Sequence, residues 1–158
     1  MTEKLGKYKH MKRIYMIDGN NLIGKIPEFR GLDKQVLREK LAFKLERYFF
    51  NKKVNVSLHF DGYANTPIRA RGLKITYSEN KIADDKIRDE ISYAKNPKLI
   101  TLVSSDHALM DFAKKNSCTI ISSEDFNREM NKPANVNDEE KLIKGIDNEE
   151  MKRLFGIE

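Results

Sequence analysis

Runs of apolar residues in two alternating rhythms divide the first 130 positions. Short stretches rich in Ile, Val, Leu and Tyr occur at Arg13–Ile17, Val54–Phe60, Leu73–Tyr77, Leu99–Ser104 and Cys118–Ser122, the composition expected of buried strands. Between the first two, Leu37, Leu41, Leu45 and Phe49 recur every fourth residue, with Val36 and Tyr48 flanking the same stripe, so Asp33 to Asn51 reads as an amphipathic helix. Asn80 to Ala94 places Ala83, Ile87, Ile91 and Ala94 on one face, and Ser105 to Lys115 does the same with Ala108, Leu109, Phe112 and Ala113. Ser123-Glu124-Asp125-Phe126 opens a further short helix with a hydroxyl cap and early acids. Strands alternating with helices imply crossover connections and a mainly parallel α/β sheet.

The pattern fades at residues 131–146, which carry Pro133, several Asn and scattered charge and read as a linker. It returns at 147–158, where Asp147 and Glu150 resemble a capping box and Met151, Leu154 and Phe155 share a side before Gly156, the signature of a short C-terminal helix. The chain therefore divides into a basic arm (1–12), one globular domain (13–130), a linker and a terminal helix.

Charge sharpens this division. The 30 Lys and Arg against 24 Asp and Glu give +6, and residues 131–158 carry five basic and seven acidic side chains, which leaves the excess on the rest. Lys4, Lys7, Lys9, Lys12 and Arg13 near the start form an arm suited to a polyanion, although a lysine-rich surface also serves plain solubility. The single Cys118 has no partner for an internal disulfide. No apolar run reaches a membrane span, and Ile14–Ile17 is too short for a signal-peptide core, so a cytoplasmic protein without membrane attachment is expected.

The candidate chemistry lies where strands end, because loops leaving the carboxyl edge of a parallel sheet form its functional crevice. The first strand runs into Asp18-Gly19-Asn20-Asn21, the second into Asp61-Gly62, the third leads to Asp84-Asp85, and the fourth runs into Ser104-Ser105-Asp106. Each acid also has an ordinary explanation: Asp-Gly is a common turn, and Asp106 suits a helix amino end. Together, on one edge, they would repel one another and carry raised pKa values, a cost that a divalent cation removes. Oxygen donors without the Cys and His spacings of zinc sites favour Mg²⁺ or Mn²⁺. Asp84 shares the buried stripe of Ile87 and Ile91 and is the better inward ligand; Asp85 turns away.

The segments Asp18-Gly-Asn-Asn21-Leu-Ile-Gly24-Lys-Ile-Pro27-Glu28-Phe-Arg30, Phe60-Asp61, Tyr77-Ser-Glu-Asn-Lys-Ile-Ala-Asp84-Asp-Lys-Ile87, Val103-Ser-Ser-Asp106 and Ser122-Ser-Glu-Asp-Phe126 resemble, in this order, the YacP-like NYN domains, a branch of the PIN-like nucleases. The resemblance implies a PIN-like three-layer fold, a five-stranded sheet of order 3-2-1-4-5 and a metal-dependent endoribonuclease. It places the metal-site acids on Asp18, Asp84 and Asp106, with Asp61 supporting them and Asn21 matching the family's asparagine. Asn20 stands where many members have Tyr.

A metal-activated water would hydrolyse the RNA phosphodiester and leave a 5′-phosphate and a 3′-hydroxyl. Substrate approaching a carboxylate cluster needs cations at the rim, for which Lys25, Arg30, Arg69 and Arg71 are candidates, and Tyr63 is a candidate for stacking on a base. Each also reads as an ordinary solvated side chain. His59 is expected to be structural. Two alternatives share the fold: a non-catalytic RNA-binding or ribosome-associated adaptor, and a PIN-type toxin ribonuclease. A receiver domain is disfavoured because Ser122-Ser123-Glu124 follows the fifth strand where that fold needs lysine.

Overall fold

A computed structural model describes residues 12–133. The arm (residues 1–11), nearly all of the linker and the terminal helix expected at 147–158 lie outside the described residues. Five strands, β1 (Arg13–Asp18), β2 (Val54–Phe60), β3 (Leu73–Tyr77), β4 (Ile100–Val103) and β5 (Thr119–Ile121), form one sheet of order β3-β2-β1-β4-β5. Every neighbouring pair is parallel. Five α-helices accompany it: α1 (Gly19–Ile23), α2 (Lys34–Phe49), α3 (Ala83–Tyr93), α4 (His107–Lys115) and α5 (Ser123–Met130).

Alternation along the strands sends side chains to two cores. Ile17, Val56, Leu58, Phe60 and Val103 pack with Leu41, Ala42, Leu45 and Phe49 of α2 and Phe126 of α5. Met16, Ile100 and Leu102 face the other way, against Ile87 and Ile91 of α3 and Leu109 and Ala113 of α4. Helices on both faces of the sheet bury β4 entirely and most of β2, whereas β3 and β5 at the two edges stay partly exposed, so the central strands read as continuous apolar runs. This is the three-layer arrangement that the sequence pattern and the resemblance imply.

β2 and β3 have their expected bounds, and β1 extends one residue further, to Asp18. β4 starts later than expected because Pro97–Leu99 winds into a 3₁₀ turn, and β5 starts later because the Cys118 N–H bonds back to Ala113 O and closes α4. Two short elements carried no periodic signal: α1 and the 3₁₀ turn Pro27–Phe29.

The apolar stripe of α2 contains one charged residue. Arg38 is 2% exposed, a turn before Leu41 and Ala42. Its Nη1 and Nη2 donate to the carbonyls of Tyr63 (2.9 Å) and Asp61 (2.6 Å), and its guanidinium lies over the rings of Phe60 and Tyr77. The helix thereby holds the chain in place as it leaves β2.

Candidate active site at the carboxyl edge of the sheet

The register sets the site. Asp18 is opposite His59 of β2, and Ile17 is opposite Val103 of β4, so Asp18, Asp61 and Ser104 leave the sheet at one edge. The turn from β1 into α1 is tight, since a Cβ on Gly19 would lie 2.7 Å from His59 O and from two Phe60 ring atoms. Gly19 lets α1 start against β2 and keeps Asp18 at the rim. Asn20 Oδ1 then accepts the Asp61 N–H (2.9 Å), tying the ends of β1 and β2 together.

Asp18 Oδ2 accepts from the Ser104 hydroxyl (3.0 Å), and the same Oγ accepts the Asp106 N–H (3.1 Å). Ser104 is fully buried. It is a residue that sequence reasoning passed over, and its signal was the pair of serines directly after a strand. Burial raises the Asp18 carboxyl above its ordinary value and the charges of Asp61 and Asp106 push it further the same way, with the Ser104 hydroxyl and the Asn21 N–H pulling it down. No Lys or Arg among the described residues pairs with Asp18, Asp61 or Asp106.

The other acids have local partners. Asp61 Oδ1 accepts the Ala83 N–H (2.6 Å) and so caps α3 from a distant loop. Asp106 Oδ1 caps α4 by accepting the Leu109 N–H (3.0 Å). Asp84, in the first turn of α3 and one residue beyond the N–H held by Asp61, accepts from Arg88 Nε (2.6 Å). Among the described residues, no three Asp, Glu, His or Cys side chains converge on the volume of one ion.

Asn21 faces the opposite flank. Its Oδ1 accepts the Ser105 N–H (2.9 Å) and the Ser123 hydroxyl (2.7 Å), which joins α1 to the loop after β4 and to α5. Ser105 Oγ donates to Glu124 Oε2 (2.5 Å) and accepts the Ser123 N–H (2.9 Å). The Ser105 hydroxyl, with the Glu124 N–H and Lys25, holds the Glu124 carboxyl down at about 2. Lys25 Nζ sits 3.2 Å from Glu124 Oε1, so this cation is anchored beside the asparagine.

The remaining candidates are dispersed. Tyr63 is exposed on the loop after Asp61 and Arg30 is exposed after the 3₁₀ turn. Arg69 and Arg71 are exposed on the chain leading into β3, and Arg71 lies at the amino end of that strand, opposite the edge that carries Asp18. His59 is 1% exposed, with Nε2 3.5 Å from Glu90 Oε2, but neither ring nitrogen has a hydrogen-bond partner among the described residues, so the expected satisfied structural histidine is not what the structure shows.

A family model described as the YacP-like NYN domain matches residues 15–154. The chain is also similar to the crystal structure of Rae1 (YacP) from Bacillus subtilis, with 20% identity, 83% of this chain and 77% of that chain covered, and a TM-score of 0.62. A crystal structure of a mutant of the same protein is 23% identical, covers 76% of this chain and 75% of that one, and has a TM-score of 0.60. At these identities the likeness is one of fold. No curated protein matches the chain.

Proposed function

The chain belongs to the YacP-like NYN domain family, and on that premise we propose that it is a divalent-metal-dependent endoribonuclease acting on RNA in the cytoplasm. The observation that carries this reading is Asp18. It is a carboxylate at the functional edge of the sheet, raised by burial and by Asp61 and Asp106, with no cationic partner among the described residues. Such a group is an anion in need of a counter-charge.

The donors fit Mg²⁺ or Mn²⁺. Mg²⁺ keeps several waters and commonly takes only one or two carboxylates from a protein, so Asp18 and Asp106, whose backbone N–H shares the Ser104 hydroxyl with Asp18, would be the residues to hold it, and Asp84, paired with Arg88 in the first turn of α3, would be the third. When bound, the ion supplies a water of lowered pKa and offsets charge on the leaving oxygen. The chain's own residues supply position. Ser104 fixes the Asp18 carboxylate and the start of the Asp106 loop, and Asp61 fixes α3 and hence Asp84. Asn21 fixes the β4 loop against α1, while Lys25 and Arg30 offset the repulsion between the acids and the incoming strand. Products would carry a 5′-phosphate and a 3′-hydroxyl.

The test is cleavage of end-labelled structured and unstructured RNA, with matched DNA, across a titration of Mg²⁺ and Mn²⁺. Cleavage that needs the metal and disappears in Asp18→Asn is expected, and an Asp18→Asn protein as active as the wild type refutes the assignment. One observation favours a second reading, a non-catalytic RNA-binding adaptor on the same fold, with ribosome association as its expected setting: no three metal-binding side chains converge among the described residues, and Asp84 is engaged by Arg88. RNA binding without cleavage in either metal would select it.

A further inference from the structure

Between the amino end of α2 and the loop after β2 lies a cavity of about 330 Å³, lined by Lys34, Gln35, Arg38 and residues 62–65. Arg38 presents a charge-balance problem. Its guanidinium is almost wholly buried, its two Nη bonds go to neutral carbonyls, its Nε has no partner, and no carboxylate among the described residues pairs with it. Carbonyls and aromatic faces offset only part of the cost of burying a cation.

Lys34 adds a second positive charge, also without a carboxylate partner within ion-pair distance among the described residues. The two meet over Gly62, where a Cβ would lie 3.4 Å from Lys34 Nζ and 3.7 Å from Arg38 Nη2. Gly62 also has φ +86, so the backbone calls for glycine there, while a Cβ would make only ordinary contact with the two cations. Two cations thus line one cavity and meet beside Gly62, and like charges so placed repel unless an anion stands between them. The sixteen-residue α2 points its positive end the same way, although Asp33 takes the Gln35 N–H there.

We propose that this cradle binds one phosphate group of an RNA strand lying beside the carboxylate edge. For the RNA source of the phosphate the assignment rests on the ribonuclease reading above; the anion chemistry stands on the cradle alone. Asp61 links the two places, because Arg38 holds its carbonyl while its carboxylate charge acts on Asp18. Tyr63 follows directly, 60% exposed, and offers a ring to a base adjoining the bound phosphate.

The experiment uses the full chain in EDTA, so that binding is read without cleavage. Lys34→Gln changes an exposed side chain and avoids the folding risk of Arg38 variants; Lys98→Gln, an exposed lysine before β4, is the control. Affinity for a fluorescent single-stranded RNA is measured against salt, and thermal stability is measured in inorganic phosphate against sodium chloride of equal ionic strength. The expected result is a several-fold loss of RNA affinity in Lys34→Gln only, with the slope of log K against log salt reduced by about 0.7, one phosphate contact on a single strand. Inorganic phosphate is expected to stabilise the wild type and not Lys34→Gln. Wild-type RNA affinity and slope in Lys34→Gln overturn the cradle and leave the ribonuclease reading standing. Stabilisation by phosphate through Lys34, in a protein without RNA affinity, makes free phosphate the ligand and overturns the RNA assignment of the cradle, while cleavage in Mg²⁺ or Mn²⁺ decides the ribonuclease reading separately.

Discussion

Gly19→Ala and Gly24→Ala make the same chemical change at the two ends of α1 and are expected to move stability in opposite directions. Each adds one methyl, and by helix propensity and unfolded-chain entropy alone each would favour folding by about 0.4–1 kcal/mol. Gly24 has φ −63 and ψ −15, and its Cβ would meet nothing closer than Asn21 O at 3.5 Å. That is ordinary contact, so Gly24→Ala keeps the gain. At Gly19 the Cβ would come to 2.7 Å from His59 O, a strand backbone atom, and from two atoms of the fully buried Phe60 ring. Neither neighbour can swing aside. The overpacking cost is about 2–3 kcal/mol, the upper part of the usual range, and outweighs the propensity gain to leave a net loss of about 1–2.5 kcal/mol. For a chain of this length that is a fall in Tm of roughly 2–10 °C, against a rise of about 1–4 °C for Gly24→Ala. Urea unfolding of the full chain followed by far-UV circular dichroism measures both. A Gly19→Ala protein as stable as the wild type, or a Gly24→Ala protein less stable than it by more than about 0.5 kcal/mol, would refute the steric reasoning. On the proposed ribonuclease reading, because Gly19 sits between Asp18 and Asn20, its variant should also lose more RNA cleavage than its unfolded fraction explains.

Asp18→Asn should raise the urea midpoint at pH 7 in EDTA. The native carboxyl binds its proton more tightly than the unfolded chain does, so stability falls as pH rises from the ordinary value of 3.8 through the raised one, and at neutral pH the full penalty is present. The gain should vanish toward pH 3, and a lower midpoint at pH 7 would contradict a raised Asp18 carboxyl. Arg38→Met leaves the carbonyls of Asp61 and Tyr63 without donors while relieving a buried charge; a net loss of about 2–4 kcal/mol is expected from the denaturant midpoint, and a neutral result would show that the charge burden dominates. Glu124 should titrate at about 2 by carboxyl ¹³C NMR and move toward 4.5 in Ser105→Ala. Any stability it lends is complete above pH 4.5 and is lost as pH falls through about 2, so a wild-type titration near 4.5 would break the proposed Ser105 contact.

The layers were legible because each strand and each long helix must bury a face, and burial writes itself into residue type. Val56, Leu58 and Phe60 alternate against α2, and Ile87 and Ile91 form the inner stripe of α3, as their spacing requires. What escaped was set by contacts between segments far apart in sequence. α1 is only five residues long, and Gly19 is explained by the backbone of β2. Arg38 occupies a core position that no apolar rhythm marks, because its partners are carbonyls on the loop after β2. Ser104 and Ser123 become informative only once β1, β4 and α5 stand side by side.

The four strand-end acids, equal in the sequence, are unequal in the structure, and this inequality bears on function. Asp61 and Asp106 each satisfy a backbone N–H at the start of a helix, and Asp84 has Arg88. Such jobs would keep an acid at those places in a chain of this topology with no activity at all. Asp18 differs in balance. The Ser104 hydroxyl and the Asn21 N–H at the start of α1 lower its carboxyl, but no Lys or Arg among the described residues pairs with it, and burial with two neighbouring carboxylates leaves it less acidic overall. Folding alone would be served better by Asn, which could use the Ser104 hydroxyl without the charge. Chemistry at this edge is therefore best supported at Asp18, the acid of the four whose ionised form burial and its neighbours oppose.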